Sequence, residues 1–260
     1  MAPVAPCRLG TQVATLRESH IIPAWCYERA KHDESGRVKQ LLFYDGFKGT
    51  IAYSDRQLKE YLLCAKCEQA FSAGFENYVS TVAAQKDRSF PALANVTATQ
   101  NKRIVSQDGS KSLYSSGSLD VDKLARFAAS VIWRASISTH PHVDEVQLGP
   151  YEEPVREYLL NRTPLPNTVS VCMRLLTKSE MQSALFLPFS KRFAGGWMHQ
   201  FLVNGLYFTV HVGQGVERVY RDLCITRGRW VSLDDAEDMA QLLAQDLRAS
   251  TPKGKHAREV

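Results

Sequence analysis

The sequence predicts an α+β fold in which a small cysteine-bearing N-terminal module precedes an antiparallel sheet with flanking helices. Three observations carry that prediction. A Cys-x-x-Cys pair, Cys64 and Cys67, stands at the head of a helical stretch, with Cys7 far upstream. Between residues 169 and 226 apolar residues recur with a period of two, the spacing of strands. Stripes with the helical period flank that run on both sides. The 260 residues, 44% hydrophobic and 23% charged, suffice for a core without staples and exclude disordered or fibrous classes.

The elements follow in chain order. Residues 1–85 form the cysteine module. Within it a helix begins near Cys67, where Phe71, Phe75, Tyr78 and Val82 share one face, and Gly74 weakens it by about 1 kcal/mol relative to alanine. Residues 86–118 are polar and rich in turn residues, as in a linker or long loop with one short strand near Ile104. Residues 119–250 form an α+β region. A helix from Asp120 carries Leu124, Phe127, Ala128, Val131 and Ala135, and a second near Glu152–Asn161 takes Pro154 in its first turn. Strands are expected at Val169–Leu176, Ala184–Phe189, Trp197–Val203, Leu206–Val212 and Leu223–Thr226. Asn204-Gly205 signals a two-residue type I′ hairpin, pairing Val203 with Leu206, Phe201 with Phe208, His199 with Val210 and Trp197 with Val212. A last helix is expected from Ser232, with Asp235 in capping-box spacing and Ala236, Met239, Leu243 and Leu247 on one stripe. Residues 251–260 read as a flexible tail.

No uninterrupted run of eighteen apolar residues exists, which argues against a membrane-spanning helix, and residues 1–10 lack the pattern of a secretory signal. A soluble cytoplasmic protein with reduced thiols is the expectation. The net charge of +5 is spread along the chain, so it permits nucleic-acid contact without arguing for it.

Three segments carry chemistry: Cys7-Arg8-Leu9-Gly10, Ser19-His20-Ile21-Ile22-Pro23, and Leu62-Leu63-Cys64-Ala65-Lys66-Cys67-Glu68. A cysteine turn followed by a distant Cys-x-x-Cys at a helix start suits a tetrahedral ion, because the two turns bring thiolates together. Over roughly residues 7–80 this combination resembles the HNH-endonuclease-like treble-clef (ββα-metal) proteins. More narrowly, it looks like a bacterial branch in which Ser-His-Ile-Ile-Pro precedes Leu-Leu-Cys-x-x-Cys-Glu and a helix. Phe71 and Glu76 fit the branch pattern, and Ala128–Ser136 corresponds to its later helix.

The resemblance implies a ββα-metal module with a structural zinc on Cys7, Cys64 and Cys67. It implies His20 as the general base that activates water and Glu68 as a ligand to a catalytic Mg²⁺ or Mn²⁺. The implied activity is hydrolysis of DNA phosphodiesters, in a setting such as bacterial phage defence. Three positions depart from the family: Gly10 replaces the second turn cysteine, Ser19 stands where many relatives carry a metal ligand, and Lys59 lies near the position of the middle Asn. Cys26 is a candidate fourth donor. Arg56, Lys59 and Lys66 are candidate phosphate contacts.

The other reading is a catalytically inactive zinc module that acts as an interaction, sensor or binding protein, with a protein or small ligand bound through its C-terminal sheet. Under it, His20 is a satisfied strand histidine and Glu68 complements the helix dipole. Elsewhere, His140, His142, Asp144 and Glu145 read as a connector and His199 as a core or interface residue. Cys172 and Cys224 read as buried hydrophobes. Gly213-Gln214-Gly215 lacks the helix that a phosphate loop requires.

Overall fold

Three short strands gather the N-terminal motifs into one small antiparallel sheet. The computed structural model describes residues 1–31, 42–45, 50–53, 57–98, 103–105, 111–143, 145–193, 195–215 and 223–234. Strand β1 (Val4–Pro6) pairs with β2 (Val13–His20), and β2 pairs with β5 (Lys59–Cys64). Pro23, with φ fixed near the helical value, sits at the N-cap of helix α1 (Ala24–Ala30). Strand β5 runs directly into α2 (Ala65–Phe71), followed by a π-turn (Ser72–Glu76) and α3 (Asn77–Val82).

The remaining strands are β3 (Leu42–Asp45), β4 (Thr50–Tyr53), β6 (Arg103–Val105), β7 (Lys111–Ser115), β8 (Val169–Leu176), β9 (Leu185–Phe193), β10 (Gly196–Val203), β11 (Leu206–Val212) and β12 (Trp230–Asp234). Among the described residues they make one sheet in the order β4-β3-β9-β10-β11-β8-β12-β7-β6. The hairpin forms in the expected register, with Val203 opposite Leu206 and Trp197 opposite Val212. Asn204 (φ 45°) and Gly205 (φ 81°) both take the positive φ that a type I′ turn needs. Phe201 and Phe208 stack across it at 5.1 Å, and Phe127 covers both at 6.2 and 5.7 Å.

Phe127 belongs to α5 (Val121–Ile137), the long helix on this face. Its N-cap is Asp120, whose carboxylate accepts the Lys123 N–H at 3.1 Å. Helix α6 (Glu152–Leu159) places Pro154 in its first turn, as expected. One contiguous apolar cluster runs from Cys7 and Leu63 through α5 to Val231, so the small sheet and the large sheet share a core.

The structure corrects several expectations. The sheet is mixed, because β3 lies parallel to β9 and β12 parallel to β8. The short strand expected near Ile104 is β6; the polar stretch 86–118 carries α4 (Pro91–Ala98) and β7 in addition, and the two strands close one edge of the sheet. Leu223–Thr226 forms turns instead of a strand and keeps one sheet-like bond, from Ile225 N–H to the Val171 carbonyl at 2.9 Å. Ser232 lies inside β12, where pairing with β7 and β8 overrides its capping potential. Positions 235–260, with the rest of the expected last helix and the tail, lie outside the described residues, as does Arg56. No helix among the described residues is long and apolar enough to cross a membrane.

Two histidines sit inside the large sheet. His199 is fully buried with Nδ1 2.8 Å from Ser190 Oγ, and the ring of His211 meets Phe193 edge-on at 5.4 Å. Burial lowers His199 to about 4, with a smaller contribution from His211; burial and Arg174 lower His211 to about 4. Both are therefore neutral in the fold, whereas in the unfolded chain they titrate near 6.5. Stability present above pH 6.5 is lost as pH falls toward 4, because only the unfolded chain takes up these protons across that window. The urea midpoint should fall steadily between pH 7 and 5. In His199→Asn the same series should be flatter, and equal slopes in the two proteins would remove His199 as a cause.

Candidate metal and histidine site

The cysteine turn is built by its own backbone. The Cys7 N–H donates to the Gln12 carbonyl at 2.9 Å and the Thr11 N–H to the Cys7 carbonyl at 2.8 Å, closing a six-residue loop. The Arg8 N–H donates to the Leu62 carbonyl at 3.0 Å, docking the loop beside β5, and Arg156 of α6 binds the Leu9 carbonyl. Cys64 ends β5 and occupies the N-cap of α2, and Cys67 lies in the first turn. As a result the sulfurs of Cys7, Cys64 and Cys67 lie within 4.8 Å of one another, all buried.

Two hydrogen bonds are donated to the sulfurs of the cluster. The Cys64 N–H donates to Cys7 Sγ at 3.3 Å and Gln12 Nε2 donates to Cys64 Sγ at 3.1 Å. Burial opposes ionisation of Cys64, but N–H groups of Cys67 and Lys66 and the neighbouring thiols outweigh it and hold the group below the usual thiol range. Burial and the two neighbouring thiols push Cys67 up. Three converging, soft sulfur donors fit a metal ion such as zinc. Cys26 is not one of them. It is buried in α1, near Glu76, Arg29 and Arg134, so it is not a fourth donor.

His20 ends β2, opposite Lys59 on β5. Its Nε2 lies 2.6 Å from Gln57 Oε1; an amide oxygen only accepts, so Nε2 carries the proton and Nδ1 keeps the lone pair. Burial lowers its pKa, helped by Lys59 and Arg134 and opposed by the Gln57 hydrogen bond and Glu68. The imidazole is thus a neutral acceptor at pH 7. Glu68, in the first turn of α2, is close enough to act on His20, and its Oε1 is buried without a hydrogen-bond partner. Lys59 and Lys66 are exposed.

Ser19 serves the backbone. It is fully buried at a bulge in the β2–β5 ladder, and its Oγ accepts the Leu63 N–H at 3.1 Å. In the connector after α5, the Glu60 carboxylate accepts from Ser138 and Thr139, and the rings of His140 and His142 stack at 5.3 Å. Cys224 is buried and Cys172 partly so, with Cys172 pushed up to about 12 by burial.

A residue the motif reading passed over holds the site together. Arg134, 1% exposed on α5, donates to the His20 carbonyl at 2.9 Å and to Glu76 Oε1 at 2.6 Å, and its guanidinium lies 5.4 Å from the Phe71 ring centre. Glu76 reaches it from the π-turn, which adds one residue to the helical repeat and re-aims the side chain. The sequence signal is a charged residue within Val131-Ile132-Trp133-Arg134-Ala135, an otherwise apolar run.

A cavity of about 1180 Å³ opens beside the cysteines, lined by Gln12, Cys67, Lys66, Lys123, Arg126 and Arg227 among others, but not by His20 or Glu68. No family model, curated protein or solved structure matches this chain.

The ion pair makes a sharp prediction. Arg134→Leu should lower folding stability by about 3–5 kcal/mol, because it strands a buried carboxylate. Adding Glu76→Leu should recover part of that loss. Chemical denaturation of the two variants checks this, and a double variant no more stable than the single one would sink the idea.

Proposed function

We propose that the chain is an HNH-like, treble-clef (ββα-metal) nuclease that hydrolyses DNA phosphodiesters. In this reading β2 and β5 are the hairpin, α2 is the helix, and Cys7, Cys64 and Cys67 hold a structural zinc. The observation that carries it is His20: neutral, held by Gln57 through Nε2, with its Nδ1 lone pair available and an unpartnered oxygen of Glu68 nearby. That is the chemistry of a general base beside a hard-oxygen metal ligand.

His20 Nδ1 takes a proton from a water molecule as the water oxygen bonds to phosphorus. The bond from phosphorus to the leaving oxygen breaks, and that oxygen takes a proton from solvent. Gln57 holds the ring through the step, and Arg134 fixes the His20 backbone behind it. Glu68 would hold Mg²⁺ or Mn²⁺, which supplies charge stabilisation when bound. Lys59, exposed across the ladder from His20, is the cation for a backbone phosphate there, while the exposed Lys66 lines the cavity and would meet phosphates on that side. The setting in phage defence rests on the family resemblance.

One observation favours the second reading, a non-catalytic zinc module that binds a partner. The large cavity opens beside the cysteines and away from His20.

Supercoiled plasmid with Mg²⁺ or Mn²⁺ separates the two. The protein should nick it, and His20→Ala should slow cleavage by at least about 100-fold with an unchanged melting temperature. Because base function needs neutral His20, the rate should fall at acid pH, below the ordinary histidine range. Equal cleavage by wild type and His20→Ala, or none on any DNA or RNA substrate, would leave the binding reading.

A further inference from the structure

The cysteine cluster lacks a fourth sulfur, and the chain itself supplies what stands in its place. An ideal Cβ built on Gly10 would overlap the Oε1 of Gln12, so the Gln12 carboxamide fills the space into which a side chain at position 10 would project. The same carboxamide touches the cluster, with Nε2 3.1 Å from Cys64 Sγ. The loop closure from Cys7 N–H to the Gln12 carbonyl holds the two residues side by side. Gln12 and Cys67 both line the cavity, so this quarter of the cluster opens to solvent while the three sulfurs are buried.

We propose that Gln12 is the fourth ligand of the metal bound by Cys7, Cys64 and Cys67, donating through its carboxamide oxygen. This rests on the zinc reading of the cysteine cluster and deepens it. Binding turns the amide by half a rotation about its last torsion, exchanging nitrogen for oxygen at the cluster. A neutral oxygen is a weaker partner for zinc than a thiolate. Three sulfurs and one amide leave the site with one negative charge less than four sulfurs, and with one position that exchanges through the cavity. Gly10 is the enabling residue, since any side chain there would displace the amide.

The test uses the full-length protein loaded with Co²⁺ as a spectroscopic substitute for zinc, together with zinc affinity by chelator competition. Wild type should bind one ion with a tetrahedral three-sulfur spectrum. Gln12→Ala should weaken zinc binding by about 10- to 100-fold. Gln12→Glu should tighten it, because a carboxylate oxygen is the stronger donor. In Gly10→Cys combined with Gln12→Ala, the sulfur-to-cobalt charge-transfer bands should gain the intensity of a fourth thiolate. Weaker binding by Gln12→Glu would show that the amide only donates a hydrogen bond to Cys64, and would overturn the proposal. So would an unchanged spectrum and affinity in Gln12→Ala, although the three-cysteine metal site would then survive. Absence of any bound ion in wild type would overturn both.

Discussion

The ion pair between Arg134 and Glu76 is the constraint on which the candidate site depends. Three segments distant in sequence meet at one guanidinium: the end of β2 through the His20 carbonyl, the π-turn through Glu76, and α5 through Arg134 itself. Ser130 accepts further bonds one turn back on α5. Taking both charges out of water costs several kcal/mol each, and their attraction offsets that only with good geometry and full hydrogen bonding. The contribution of such a pair is therefore positional more than energetic. It dictates where the His20 backbone lies relative to α2, and so how the imidazole stands toward Glu68.

The same arrangement explains how a three-strand sheet persists beside a much larger one. Small zinc modules draw about 10–16 kcal/mol of apparent folding energy from their metal. Here Leu62, Leu63, Phe71 and Phe75 join the cluster that α5 builds against the Phe201–Phe208 pair. Apolar burial thus shares the task of holding the module folded, and the metal ligands are relieved of some of it. In that setting three clustered thiols can sit without a fourth sulfur, with the uncharged Gln12 carboxamide in the space beside Gly10.

Where one local rule decides the structure, the sequence announces it. The register of β10 and β11 was legible because Asn-Gly fixes the turn and the period of two fixes the faces. The meeting of Cys7 with Cys64 and Cys67 was legible because the cysteine turn and the helix start leave little freedom in where thiols point. The rest depended on tertiary context. Ser232 starts a plausible helix by its spacing, yet its segment finds two strand partners, β7 and β8, that spacing cannot show. Of β6 and β7 at the sheet edge, only β6 was legible, through Ile104; β7 resembles linker because its Lys-Ser-Leu-Tyr-Ser run sits among turn residues. The π-turn is invisible because Phe71, Phe75 and Tyr78 keep a helical stripe through it. Gln12 carries no motif at all; its meaning comes from the missing side chain two residues earlier.

Helix α2 also separates two groups of side chains. Cys67, Phe71 and Gly74 line the cavity at spacings of four and three, which places them on one side of the helical segment. Glu68 is one residue on from Cys67, about 100° around the axis, and acts on His20. A phosphate at His20 would therefore not be held by the cavity's Lys123, Arg126 or Arg227. Its nearby cation is Lys59, directly across the ladder. Lys123, Arg126 and Arg227 line the cavity beside the cysteine cluster instead. The cavity and the Glu68–His20 pair thus lie on different sides of α2. What links them is the short helix that carries both Cys67 and Glu68.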